Sequence, residues 1–114
     1  MQLLKIDKDN YIGQADPYII EHEGKFYIYT TGDDGLYGYG CDTLLGEWKF
    51  EGQIFTLEGR DHFWAPSVIY LDGKFYMYFS FEYYEDTPDQ GGHHQAMHVA
   101  VSDNPMGPFK LAGQ

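Results

Sequence analysis

With 114 residues, 43 % of them apolar and 18 % aromatic, the chain is too rich in core-forming side chains for disorder and has room for one domain. A net charge of −11 argues against tracking nucleic-acid phosphates or adsorbing to anionic membranes, so neither partner is expected. Cys41 is the single cysteine, which excludes an intrachain disulfide and a cysteine zinc cluster, and no cofactor is implied.

The first residues, MQLLKIDKDN, break their apolar run with Lys5, Asp7, Lys8 and Asp9. That is no signal-peptide core, and a cytoplasmic address is the default expectation. Within this segment, about 1–14, Gln2–Ile6 is a spare strand candidate. Tyr18-Ile19-Ile20 then leads through Glu23-Gly24 into Lys25-Phe26-Tyr27-Ile28-Tyr29-Thr30. Strand, tight turn and aromatic strand is a hairpin signal, because alternating aromatic and β-branched residues suit a half-buried pleated surface. Val68-Ile69-Tyr70, Asp72-Gly73 and Lys74-Phe75-Tyr76-Met77-Tyr78-Phe79 repeat it. No segment has a helical period, and Gly and Pro punctuate the chain throughout. The class predicted is all-β.

The hairpins are copies. Pro17, Gly24, Lys25, Phe26, Tyr27 and Tyr29 match Pro66, Gly73, Lys74, Phe75, Tyr76 and Tyr78, each 49 residues on. Asp42, Gly46 and Trp48 match Asp103, Gly107 and Phe109 at a spacing of 61, so the second copy carries an insertion within Phe81–Gln95. Two repeats of roughly 50 residues fit two four-stranded propeller blades. Strands are predicted at about 16–22, 25–31, 36–42 and 47–55 in blade one (about 15–56). In blade two (about 63–114) they fall at about 65–71, 74–82, 96–102 and 108–113. Two blades do not close a ring, so this half-propeller is expected to be completed by oligomerisation, a homodimer being favoured, unless the chain is a fragment.

Three motifs then become specific: Ala15-Asp16-Pro17 at the first blade, Phe63-Trp64-Ala65-Pro66-Ser67-Val68 at the second, and Val101-Ser102-Asp103-Asn104-Pro105-Met106-Gly107-Pro108-Phe109 near the end. Together they resemble the first two blades of glycoside hydrolase family 43, whose five-bladed propellers cut arabinose- and xylose-containing glycans. The resemblance implies an inverting hydrolase with Asp16 as general base on water. It also implies a sugar pocket walled by Phe63 and Trp64. The family's general acid and the Asp that tunes it come from the third and fourth blades, which this sequence does not include. Where the second-blade motif often has an acidic residue, Ser67 stands here. Weak or absent turnover by the isolated chain is therefore expected, with a pentose-containing glycan as the partner.

Each signal has a plainer alternative. Asp before Pro is a common turn residue. Trp64 can equally be core, and for Phe63 core is favoured. The insertion is either a pocket rim, with Glu82, Glu85 or Asp86 reaching the sugar, or a solvated loop. His93 and His94 point opposite ways on an extended chain, which disfavours a shared metal with Asp86 and Asp89, so no metal site is expected. His98 reads as a strand histidine, Lys25 and Lys74 as solvated turn charges, and Cys41 as a small apolar residue.

Overall fold

The computed structural model describes residues 15–58, 60, 62–83 and 94–113. The spare N-terminal strand and most of the insertion, including His93, Glu85, Asp86 and Asp89, lie outside them. So do the side chains of Glu82 and His94.

Eight strands form two sheets. The first contains β1 (Tyr18–His22), β2 (Lys25–Thr30), β3 (Leu36–Cys41) and β4 (Lys49–Phe55). The second contains β5 (Trp64–Leu71), β6 (Lys74–Tyr83), β7 (His94–Ser102) and β8 (Lys110–Gly113). Both are antiparallel meanders, ordered β1-β2-β3-β4 and β5-β6-β7-β8. The two repeats predicted from the sequence are thus two sheets, with strand ends displaced by a residue or two in most cases.

The repeated hairpins have a common cause. His22 pairs with Lys25 and Leu71 with Lys74, leaving two-residue loops. Glu23 and Gly24 take φ of 52° and 78°, and Asp72 and Gly73 take 51° and 84°. Positive φ at both central residues is the turn whose twist matches the flanking strands, and glycine adopts it without a Cβ penalty. Beyond each turn the lysine meets an aspartate from the third strand's end: Lys25 with Asp42 at 3.8 Å, Lys74 with Asp103 at 2.8 Å. The lysines predicted as solvated turn charges therefore have partners. Both pairs are exposed, so each adds little to stability.

The core lies where one sheet faces the other. The first sheet contributes Tyr29, Leu36, Ile54 and Phe55; Phe63, Val68, Phe75, Met77, Phe79, Phe81, Ala100 and Phe109 come from the second repeat. Burying each large apolar side chain is worth roughly 1.5–3 kcal/mol. Hydrogen bonds sew the repeats together around this core. The Tyr29 hydroxyl donates to the Pro105 carbonyl at 2.5 Å, and the Phe109 N–H donates to the Ile54 carbonyl at 3.0 Å. Burial pushes the Tyr29 phenol's pKa up. Gly38 lets the second repeat approach, since a Cβ there would lie 2.6 Å from the Met106 sulfur.

His98 is buried in β7 and stacks on Phe81, with ring centroids 4.1 Å apart and planes at 12°. Burial, then the positive charge of Arg60, lowers its pKa from the usual histidine value. The folded chain thus takes up this proton at lower pH than the unfolded chain, and stability falls as pH drops below about 6.5. Urea titrations at pH 7.5 and 5.5 should show a lower midpoint at the acidic value, and His98→Phe should flatten that difference. An unchanged difference in the variant would assign it to other groups.

Candidate functional site

The site is built where the two blade entries meet. Asp16 and Ala65, equivalent in the repeat, both precede a proline and both adopt positive φ, 49° and 50°. This conformation is costly for residues with a Cβ, so the surroundings must hold it. They do so through Thr31, just beyond β2. Its hydroxyl donates to Oδ2 of Asp16 at 3.0 Å and accepts the Ala65 N–H at 3.0 Å. Its own N–H donates to the Ala15 carbonyl at 3.0 Å. One buried threonine therefore ties the Ala-Asp-Pro entry of the first sheet to the Trp-Ala-Pro entry of the second.

The chain continues along the same seam. Gly32 and Phe63 form a two-way bridge, N–H to carbonyl at 3.2 and 3.0 Å, and the His62 N–H donates to the Asp33 carbonyl at 2.7 Å. The Asp33 carboxylate lies 3.8 Å from His62 Nδ1, and the His62 ring lies 6.1 Å from that of Trp64. The Asp34 carboxylate accepts from the Tyr37 hydroxyl. Burial and this bond push the Tyr37 pKa up to about 12. Gln53 and Thr56 also donate to the Asp34 carbonyl, bracing the turn that carries both aspartates.

Asp16 is exposed, and Trp64 is half-buried with part of its surface open. Phe63 requires a correction. It has 0 % exposure and packs against Phe55, Phe79 and Phe81, so it underlies the seam and does not form a pocket wall. Ser67 pairs with Tyr78 on the face of the second sheet turned away from the first, so it is not drawn into the Thr31 network. Cys41 is buried and its thiol donates to the Thr43 carbonyl at 2.7 Å.

Sequence reading did not single out Thr31, Asp33, Asp34 or His62. Thr31 had a signal: Ser80, 49 residues later, keeps a hydroxyl at the same repeat position. A groove of about 310 Å³ lies at the opposite end of the first sheet, lined by Lys25, Tyr27, Glu47, Lys49 and Glu51. Its charges are mixed, and it is remote from the entry motifs. Among the described residues no group of three His, Cys, Asp or Glu side chains could hold a metal ion.

Residues 55–114 match the family model of Glycosyl hydrolases family 43. The chain belongs to that family. A xylosidase/arabinosidase of Bacteroides ovatus is 33 % identical over 117 residues, a match covering 83 % of this chain and 34 % of that protein. The family-43 likeness extends to structure. The crystal structure of a thermostable family-43 glycoside hydrolase superposes with a TM-score of 0.74 at 32 % identity, covering 90 % of this chain and 33 % of that one. A family-43 β-xylosidase/α-arabinofuranosidase from a compost microbial metagenome, solved with xylotriose, gives 0.74 at 27 % identity, covering 91 % and 36 %. The chain spans between about a fifth and a third of the length of the relatives it matches.

Proposed function

We propose that this chain carries the water-activating half of an inverting glycosidase acting on xylose- or arabinose-containing glycans. The observation that carries the reading is the Asp16–Thr31–Ala65 connection, which brings the Ala-Asp-Pro and Trp-Ala-Pro motifs to one seam. In this reading Asp16 removes a proton from the water that attacks the anomeric carbon. Trp64 offers an apolar face to the sugar's C–H face. The leaving oxygen needs a proton from a second carboxyl across the sugar, set back by roughly 6.5–9.5 Å to admit the water. In this reading that acid comes from blades beyond the two described here, so the two blades by themselves bind sugar with weak or absent turnover.

The supporting experiment is a calorimetric titration with xylotriose and with arabinose oligosaccharides, alongside aryl-xyloside and aryl-arabinoside turnover. Trp64→Ala should weaken binding roughly 30-fold, the loss of about 2 kcal/mol expected when a large aromatic anchor is removed. Asp16→Ala should weaken it less. Absence of binding by every assembled form of the chain would end the sugar-site reading.

A second reading, a half-propeller that self-assembles, is favoured by a contrast between the repeats. Tyr29 and Leu36 are 0 % exposed because the second sheet covers them, whereas their equivalents Tyr78 and Met97 are 44 % and 63 % exposed. Ile20 packs against the core, and its equivalent Ile69 is 53 % exposed. The second sheet thus presents the surface that, in the first, receives a blade. Another copy, or further blades, would complete the propeller by covering it.

A further inference from the structure

We propose that Thr31 is a positioning residue, which fixes the Asp16 carboxylate and makes its aim depend on the docking of the second sheet. The inference rests on the reading of Asp16 as the water-activating group. Three observations carry it. Asp16 is exposed and sits at a φ of 49°, a conformation that its own backbone does not favour. The only hydrogen bond described for its carboxylate comes from the buried Thr31 hydroxyl at 3.0 Å. That hydroxyl has one proton to donate, and the Ala65 N–H arriving at 3.0 Å occupies an acceptor lone pair. With the amide on its lone pair, the hydroxyl's proton is directed to the carboxylate.

The repeat separates this role from generic architecture. Ser80 holds the equivalent hydroxyl in the second repeat, but Ala65 stands where Asp16 stands in the first. The hydroxyl is therefore common to both repeats, while the carboxylate it orients occurs only once. Val at position 31 would keep the β-branched shape and remove both hydrogen bonds; Ser would keep both bonds and remove a methyl group.

The test uses the full chain. Three-bond couplings between backbone nitrogen and Cγ report the Asp16 χ1 rotamer. They should show one rotamer in the wild type and in Thr31→Ser, and averaging in Thr31→Val. Xylotriose affinity should fall about tenfold in Thr31→Val and be restored in Thr31→Ser. In the Asp16→Ala background, Thr31→Val should cost clearly less than in the wild type, since the bond to the carboxylate is already gone and only the Ala65 bond remains to lose. Additive losses, or a single Asp16 rotamer in folded Thr31→Val, would overturn the proposal. If Thr31→Val does not fold, the wild type still decides. Its Thr31 hydroxyl proton should exchange slowly with water, and fast exchange would refute the bond. If xylotriose binds wild type and Asp16→Ala equally, the parent reading fails, while the rotamer measurement still judges Thr31.

Discussion

Phe63→Ala should strip the chain of a large part of its stability and lower its urea unfolding midpoint sharply. The ring has 0 % exposure and sits against Phe55, Phe79 and Phe81, so truncation opens a cavity at the junction of the two sheets. Phe→Ala at such a site costs about 3–5 kcal/mol, against a total stability of roughly 5–15 kcal/mol for a domain. Its backbone also forms the bridge to Gly32, so the lost packing loosens the segment leading to Thr31 and Trp64. Phe50→Ala is the matched comparison: the same substitution at a side chain 42 % exposed should cost about 1 kcal/mol or less. Urea unfolding followed by far-ultraviolet circular dichroism measures both. Equal midpoints for the two variants would mean that Phe63 is not the keystone described.

The second large effect concerns association. In solution the wild-type chain should sediment as more than a monomer at micromolar concentration, more strongly at higher salt, because screening weakens the repulsion between copies of charge −11. Tyr78→Lys together with Met97→Lys should raise the dissociation constant at least about 100-fold, since burying two unpaired charges costs several kcal/mol. Lysine is chosen deliberately. It makes each copy less negative, so lost association reports on the apolar face and not on charge repulsion. A clean, well-folded wild-type monomer across this range would dispose of self-assembly and leave further blades as the cover for that face.

Much of the architecture could be read from local chemistry. Glu23-Gly24 and Asp72-Gly73 each compel a two-residue turn, and a two-residue turn sets the register of everything flanking it, which is why the strand pattern was legible. The duplication was legible for a related reason: lysine, aromatics and aspartate recur where the fold needs them twice. The site was less so. The positive φ of Asp16 and Ala65 is held by hydrogen bonds to Thr31, which lies 15 and 34 residues away from them in sequence, and no local propensity records it. Trp64 and Phe63 are neighbours with similar side chains, yet one is turned partly to solvent and the other is buried. Phe63 precedes β5 and is placed by its bridge to Gly32 in the other repeat, a contact that no neighbouring residue signals, while Trp64 starts the β5 register against β6. Ser67 was no more legible: its place opposite Tyr78 depends on the register shift between Trp64 and Ser67.

The meander order has a consequence in time. Every strand in either sheet pairs with its neighbour in sequence, so the chain closes only short loops while each sheet forms, and the entropy lost at each closure is small. Either sheet alone, however, leaves its aromatic face wet until the other arrives. Formation of the sheets should therefore be fast, and their docking the slower event that commits the molecule. Thr31 bonds to Ala65 only after that docking, so the last step of folding is also the one that sets the aim of Asp16.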